Sequence, residues 1–155
     1  MPLSPSSAAR LATQLDCLPA LLEGVAPEAL VRRTRSGKWS VHENLAHLAR
    51  HHDVFLRRVR TVLSEERPAL GRYAAEGDPE WPAWAALTTA EVLARLRARR
   101  AELIGLFGGL DDAALARSAI HPALGVMPLT LWLEFFLLHE AHHLYAVMKR
   151  ARGAE

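Results

Sequence analysis

The segment SVHENLAHLARHHDVFLRRVRTVLS, residues 40–64, predicts a long amphipathic helix and decides the fold class. It opens with Ser40-Val41-His42-Glu43, a capping box in which the Ser side chain accepts a hydrogen bond from the third helical amide and the Glu carboxylate reaches back to the Ser amide. Apolar residues then recur at helical spacing, namely Leu45, Leu48, Phe55, Val59 and Val62. We therefore expect a helix that runs to about Ser64.

Three further helical patterns flank this segment. One runs from about Ser6 to Glu23, with a kink or break expected at Pro19. A capping box at Thr88 opens another, which runs to about Phe107 and closes at Gly108-Gly109. Asp111 caps a short turn through Ala116, and Thr130 caps the last helix, to about Arg150.

The connections are long, and no segment alternates as a strand would. Residues 67–86 are rich in proline and aromatic rings, and they predict a loop of about 20 residues, a length that is uncommon without a function. Four amphipathic helices without strands predict an all-α four-helix bundle, and residues 1–155 predict a single domain.

Composition favours a soluble cytoplasmic protein. The 155 residues are half hydrophobic, with 19 basic and 17 acidic side chains. The lone Cys17 has no internal disulfide partner, fits a reducing cytosol, and is expected to be a small buried hydrophobe. The N-terminal residues lack the apolar region of a signal peptide, and residues 129–138 are too short to span a bilayer.

Nucleic-acid binding is an alternative that rests on the basic isoelectric point and on four clustered arginines. Those arginines are Arg95, Arg97, Arg99 and Arg100. The charge is close to balanced, so we expect them to form a solvated helix face and not a phosphate-binding surface.

The last helix contains His139-Glu140-Ala141-His142-His143 within FFLLHEAHHLYAV, residues 135–147. This matches the HExxH pattern of zinc proteases, in which two histidines bind zinc and the glutamate acts as base. A protease of this type needs a third ligand further along the chain. Ala146 and Lys149 occupy the positions where the extended pattern has Gly and His, and the only later carboxylate side chain is Glu155. A protease is therefore not expected.

His139 and His143 lie one turn apart on an otherwise apolar stripe that should face the core, formed with Trp132, Phe135, Phe136, Ala146 and Val147. Two imidazoles at this spacing converge on one point, as metal ligands do. The alternative is a pair of core histidines bonded to carbonyl groups. A third ligand would come from the helix of residues 40–64, and the spacing does not choose among four candidates, His42, His47, His51 and His52.

Three segments together resemble one family. Residues 37–48 (GKWSVHENLAHL), residues 116–125 (ARSAIHPALG) and residues 139–144 (HEAHHL) are similar, in order and spacing, to segments of the DinB/YfiT-like superfamily. This is a metal-binding helical family, distinct from the translesion polymerase of the same name. The resemblance implies an up-down-down-up four-helix bundle, zinc or nickel held by His47, His139 and His143, and a homodimer.

The same resemblance bears on activity. Characterised relatives include S-transferases and isomerases that use the thiols bacillithiol or mycothiol, and metal-dependent hydrolases. Relatives often have Asp after the first histidine of the last helix, where this chain has Glu140. His121 matches the His-Pro of the family's middle segment and is expected to line the pocket or to serve the structure, not to bind metal.

The leading hypothesis is therefore a metal-dependent transferase or hydrolase acting on a small molecule, with an open coordination position for a thiol or for water. Candidates for an acid or base are Glu43, Glu140, His51 and His142. Tyr73, Trp81 and Trp84 either cover the substrate site or pack against the bundle. Ordinary histidine pKa values predict that metal binding weakens below about pH 6.5. The alternative is a non-catalytic helical dimer module with a structural metal or none.

Overall fold

The computed structural model describes residues 3–155. The elements are, in chain order, α1 Pro5–Thr13, a 3₁₀ turn Gln14–Cys17, α2 Leu18–Leu22, α3 Pro27–Val31, α4 Val41–Ser64, a 3₁₀ turn Ala75–Gly77, α5 Trp81–Ala85, α6 Thr89–Gly108, α7 Asp112–Ala116, β1 Ser118–His121, β2 Gly125–Pro128 and α8 Leu129–Ala151. Among the described residues, no helix is both long and apolar enough to cross a membrane.

Contacts between the long helices give their directions. The N-terminal helical segment (α1, its 3₁₀ turn and α2) runs parallel to α8, α4 runs antiparallel to α8, and α6 runs parallel to α4. Two residue contacts establish each direction. In the same order, they are Arg10–Glu134 with Gln14–Glu140, Asn44–His143 with Phe55–Phe136, and His42–Thr89 with Arg60–Glu102. The predicted up-down-down-up four-helix bundle is thereby confirmed.

The capping boxes form as predicted. The Ser40 Oγ accepts from the Glu43 amide at 3.1 Å, and the Glu43 carboxylate accepts from the Ser40 amide at 2.9 Å. Thr88 and Glu91 make the same reciprocal pair at the start of α6. Thr130 does not cap α8, because the helix already begins at Leu129 after the extended Pro128.

The N-terminal helical segment breaks earlier than expected. The α-helix ends at Thr13, and Pro19 lies in the first turn of α2, where a missing amide proton costs nothing. Cys17 falls in the intervening turn and is exposed, so its expected burial is wrong. Its Sγ lies 3.2 Å from the Gln14 carbonyl oxygen.

A β-hairpin was not expected. Strands β1 and β2 pair antiparallel from Ser118 opposite Pro128 to His121 opposite Gly125, and Gly125 has a positive φ of 73° at the turn. Each strand is four residues long, too short for alternation to be recognised in the sequence. Backbone hydrogen bonds join Ile120 to Pro68 and Leu70, and the hairpin carries His121 to one end of the bundle.

The apolar core is divided by a buried polar layer. One cluster includes Leu11, Phe55, Leu103 and Leu137, and the other includes Leu18, Ala49, Leu96 and Leu144. Between them, each long helical segment contributes one polar residue, namely Gln14, His52, Arg100 and Glu140. We call these four residues the four-helix network.

Glu140 is the centre of this network. Its carboxylate is fully buried, accepts from Arg100 Nη2 and from Gln14 Nε2 at 2.8 Å, and lies 3.2 Å from His52 Nε2. Burial raises the pKa of Glu140, but the bonds to His52 and Arg100 outweigh it and hold the pKa below its usual value. Arg100 is 5% exposed, so the expectation that it belongs to a solvated face is wrong.

We predict that Glu140→Gln destabilises the protein by about 3 kcal/mol, because the neutral amide leaves the Arg100 cation buried and without a counter-charge. Urea unfolding followed by circular dichroism measures the loss. The matched control is Glu102→Gln, which removes the partly exposed pair with Arg60 and should cost about 1 kcal/mol or less. Equal losses in the two variants would show that the network does not stabilise the fold.

Candidate metal centre

Three imidazoles from two helices meet at one point. His47 lies on α4, and His139 and His143 lie on α8. One ring nitrogen from each lies within 4.8 Å of the other two, and the Nε2 atoms of His47 and His139 are 3.1 Å apart. Ligands around a tetrahedral zinc at about 2.0–2.1 Å are about 3.3 Å from one another. The donor set and its spacing therefore fit a divalent metal.

The two histidines of α8 lie at the edge of its buried face and not at its centre. The fully buried side chains on this helix include Leu133, Leu137 and Glu140, a line rotated by roughly 80° from His139 and His143. The expected stripe is therefore displaced to one side of the buried face. It shares Trp132, Phe136 and Val147 with that face and omits its centre. This rotation leaves both imidazoles partly buried and open to a cavity.

Asn44 fixes the ring of His143. The His143 Nδ1–H donates to Asn44 Oδ1 at 2.8 Å, and the Asn44 amide donates to the Ser40 carbonyl at 2.7 Å, which orients its oxygen toward the ring. This bond places the proton on Nδ1 and leaves the Nε2 lone pair free. Such a partner sets both the tautomer and the orientation of a metal-binding histidine.

We predict that Asn44→Ala lowers zinc affinity by about 10- to 100-fold, because His143 loses the partner that fixes its tautomer. Asn44→Asp keeps an acceptor and should retain most of the affinity. Competition with a chromophoric chelator measures both variants. Wild-type affinity in Asn44→Ala would show that Asn44 does not orient the ligand.

Burial keeps all three imidazoles neutral. It lowers the pKa of His47 to about 3, with a contribution from His139. It lowers the pKa of His139 to about 4, with a contribution from His142, and that of His143 to about 2, with a contribution from His47. Neutral rings are the form that binds metal, so protons compete with the metal only in more acidic solution than ordinary histidines would imply.

We predict that the metal-free protein loses stability as the pH falls from about 6.5 to about 5. Histidines in the unfolded chain take up protons near pH 6.5, whereas the folded histidines stay neutral, so the unfolded state binds more protons in this window. His51 and His52 have lowered pKa values from burial and add to the same slope. Urea unfolding in chelator at about pH 7, 6 and 5 measures the slope.

His143→Asn is the control for this pH dependence, because it removes one of the contributing groups and should reduce the slope. Stability that is constant, or that rises, as the solution is acidified would contradict the burial of neutral histidines.

The three histidines open into a cavity of about 680 Å³. This volume suits a small-molecule ligand. The wall contains residues from α4, α8 and three loops, including Trp39, His51, Arg58, Arg72, Tyr73, Glu76, His121 and Phe135. The three histidines thus form part of the wall of a pocket and are not enclosed on every side.

Aromatic rings pack around the imidazoles, although not the set that the sequence indicated. The Tyr73 ring lies 5.7 Å from His47, and Trp39, to which the sequence analysis assigns no role in the site, lies 5.0 Å from it. Trp81 stacks on Trp39 at 5.2 Å, while Trp84 is buried beneath Arg95 in the core. Trp39 and Tyr73 therefore line the cavity, and Trp84 is structural.

The loop that carries Tyr73 is held against α4 by charge. Buried Arg50 donates to Asp78 at 2.6 Å, and the Tyr73 hydroxyl donates to the same carboxylate at 3.1 Å. The predicted long loop, residues 67–86, therefore contains ordered structure, with a 3₁₀ turn at Ala75–Gly77 and helix α5.

Of the candidate acids and bases, only His51 lies in the cavity wall, with its ring 4.0 Å from that of His139. Glu140 is in the core, His142 is exposed outside the cavity, and Glu43 caps α4 and pairs with Arg33. The two remaining histidines of α4 bond within the protein, His42 to Ala85 and Thr89 and His52 to the Leu48 carbonyl.

In this up-down-down-up bundle, three histidines from two of the helices face a cavity. This arrangement defines a class of helical proteins with a potential metal centre. The chain belongs to the DinB superfamily, whose family model matches residues 10–147.

A similar solved structure is YfiT from Bacillus subtilis, with 24% identity, a TM-score of 0.72, and coverage of 98% of this chain and 91% of that one. YfiT is described as a probable metal-dependent hydrolase with an unusual four-helix bundle topology. At this identity the likeness establishes the shared fold. No curated protein sequence matches the chain.

Proposed function

We propose that this protein is a divalent-metal-dependent enzyme acting on a small molecule, with His47, His139 and His143 as the ligands and zinc or nickel as the metal. The observation that carries the proposal is the convergence of three neutral imidazoles in the wall of an open cavity. The description of YfiT as a probable metal-dependent hydrolase supports the same class.

The chemistry follows from an open coordination position. A bound divalent metal acts as a Lewis acid and lowers the pKa of a thiol or of water, which makes either one a nucleophile near neutral pH. The protein side chains hold the rest of the site. Asn44 orients His143, while the Trp39 and Tyr73 rings pack 5.0 and 5.7 Å from the His47 ring.

We propose that His51 accepts a hydrogen bond from the attacking group. Burial and the neighbouring His139 lower its pKa well below the usual value, so the ring stays neutral at physiological pH. It lines the cavity next to His139, whereas Glu140 and His142 do not. We therefore assign His51 to positioning the nucleophile, in either a thiol transfer or a hydrolysis.

A thiol co-substrate such as bacillithiol or mycothiol, a homodimer and a cytoplasmic location stay predictions drawn from the sequence. The competing function is a non-catalytic helical module. A closed site with four protein ligands would favour that module, whereas the cluster contains three donors among the residues described and faces the cavity.

We predict that the purified wild-type protein binds one divalent ion per chain and that His47→Ala binds less than a tenth as much after dialysis. Two ligands from a single helix lack the third donor that makes the site tight. Elemental analysis by mass spectrometry measures the content. The control is His142→Ala, an exposed histidine outside the cavity, which should keep its metal. Equal metal in wild type and His47→Ala would show that the ligand assignment is wrong.

An open coordination position on the metal distinguishes the proposed enzyme from the non-catalytic helical module. Cobalt-substituted protein should develop a cobalt–thiolate absorption band when 2-mercaptoethanol is added, because a small thiol reaches the metal through the cavity. A spectrum that stays unchanged would favour a structural metal and remove the proposed chemistry.

A further inference from the structure

Arg58 lines the cavity but has no role in the proposed metal centre. It lies on α4 seven residues after His51 and eleven after His47, so all three project from nearly the same helix face. Seven residues correspond to roughly 10 Å along the axis. Arg58 therefore lines the same cavity as the imidazoles, two helical turns away from His51.

The guanidinium of Arg58 has no carboxylate partner. It donates to the Gly71 carbonyl and lies 5.8 Å from the centre of the Trp132 ring, and within residues 3–155 no acidic side chain comes within 4.0 Å of it. Its neighbours on the helix differ, because Arg57 pairs with Glu80 at 3.4 Å and Arg60 pairs with Glu102. A half-buried cation without a counter-charge is costly, and a ligand anion would offset that cost.

His121 supplies a second hydrogen-bond donor in the same cavity wall. Its Nδ1 accepts from the amides of Ala123 and Leu124 at 3.1 and 3.0 Å, which places the proton of the neutral ring on Nε2. The His121 ring packs 5.5 Å from Trp132, the same ring that Arg58 covers, and it lines the cavity. Both donors therefore lie around one indole, in a wall whose other charged members are the exposed Arg72 and Glu76.

We infer that the cavity binds a small organic acid, whose carboxylate is held by Arg58 and the Nε2–H of His121 while its reacting end lies at the three histidines. The planar guanidinium fork matches a carboxylate in shape and charge. The two-turn separation from His51 selects acids whose carboxylate is several bonds away from the reacting atom. This inference rests on the proposed function, since it uses the metal centre as the other end of the site.

Cobalt-substituted protein and a pair of thiols of equal length test the inference, namely 6-mercaptohexanoate and 6-mercapto-1-hexanol. The thiolate band reports binding of either one, and only the first has a carboxylate for Arg58. In the wild type we expect the acid to bind about tenfold more tightly than the alcohol, because a charge-assisted hydrogen bond to Arg58 contributes about that much to the affinity. In Arg58→Gln we expect the two affinities to be equal.

Arg57→Gln is the matched control, because it removes an adjacent arginine that is paired with Glu80 and does not line this cavity, and it should keep the tenfold preference. Only the ratio of the two affinities counts. A disturbed fold in Arg58→Gln would weaken the acid and the alcohol together, and an unchanged affinity for the alcohol shows that the site is intact.

The outcomes separate the two proposals. Equal binding of both thiols to the wild type, or a preference that survives in Arg58→Gln, overturns the carboxylate site and leaves the metal-dependent function standing. Failure of the protein to bind cobalt, or failure of both thiols to change its spectrum, overturns the proposed function and this inference with it.

Discussion

The buried ion pair between Arg100 and Glu140 is the constraint on which the rest of the structure depends. It belongs to a network with one residue from each long helical segment, completed by Gln14 and His52. Leucine contacts tolerate some sliding of one helix along another, whereas a buried carboxylate needs each of its partners in place. Because His52 follows His51 and Glu140 follows His139, the alignment that satisfies the network also brings the imidazoles of α4 and α8 to the same level.

Consecutive residues on α4 and on α8 therefore serve two different parts of the structure, the cavity and the core. On an α-helix, neighbours in sequence differ by about 100°, so one residue of a pair can face the cavity while the next faces the core. His51 and His139 line the cavity, and His52 and Glu140 lie in the polar layer. The glutamate of the HExxH match therefore joins the helices of the bundle, and the likeness to zinc proteases is limited to the three residues that the pattern specifies.

Local signals predicted much of the fold, and long-range contacts account for what they missed. Capping boxes and helical periodicity act within a few residues, so the bounds of α4 and α6 were predictable to within about a residue. The pairing of His139 with His143 was equally local, and the family resemblance supplied His47. Arg100 looked like one of several surface arginines because its partner is 40 positions away. Trp39 and Arg58 gave no signal for a similar reason, since the cavity that gives them a role forms only when distant loops meet.

Rigid and adaptable parts of the site come from different elements. The three histidines and Asn44 lie on the two long helices whose alignment the network fixes, so the geometry of the candidate metal centre is tied to the stability of the bundle. Trp39 and Tyr73 come from loops and His121 from the end of strand β1, all of which lie outside the packed helical core and tolerate substitution more readily than it does. Arg58 connects the two, because it is carried by α4 but donates to the Gly71 carbonyl of a loop. A change in that loop would therefore move the Arg58 guanidinium without moving the imidazoles, so the carboxylate selectivity that we propose could change while the proposed metal ligands stay in place.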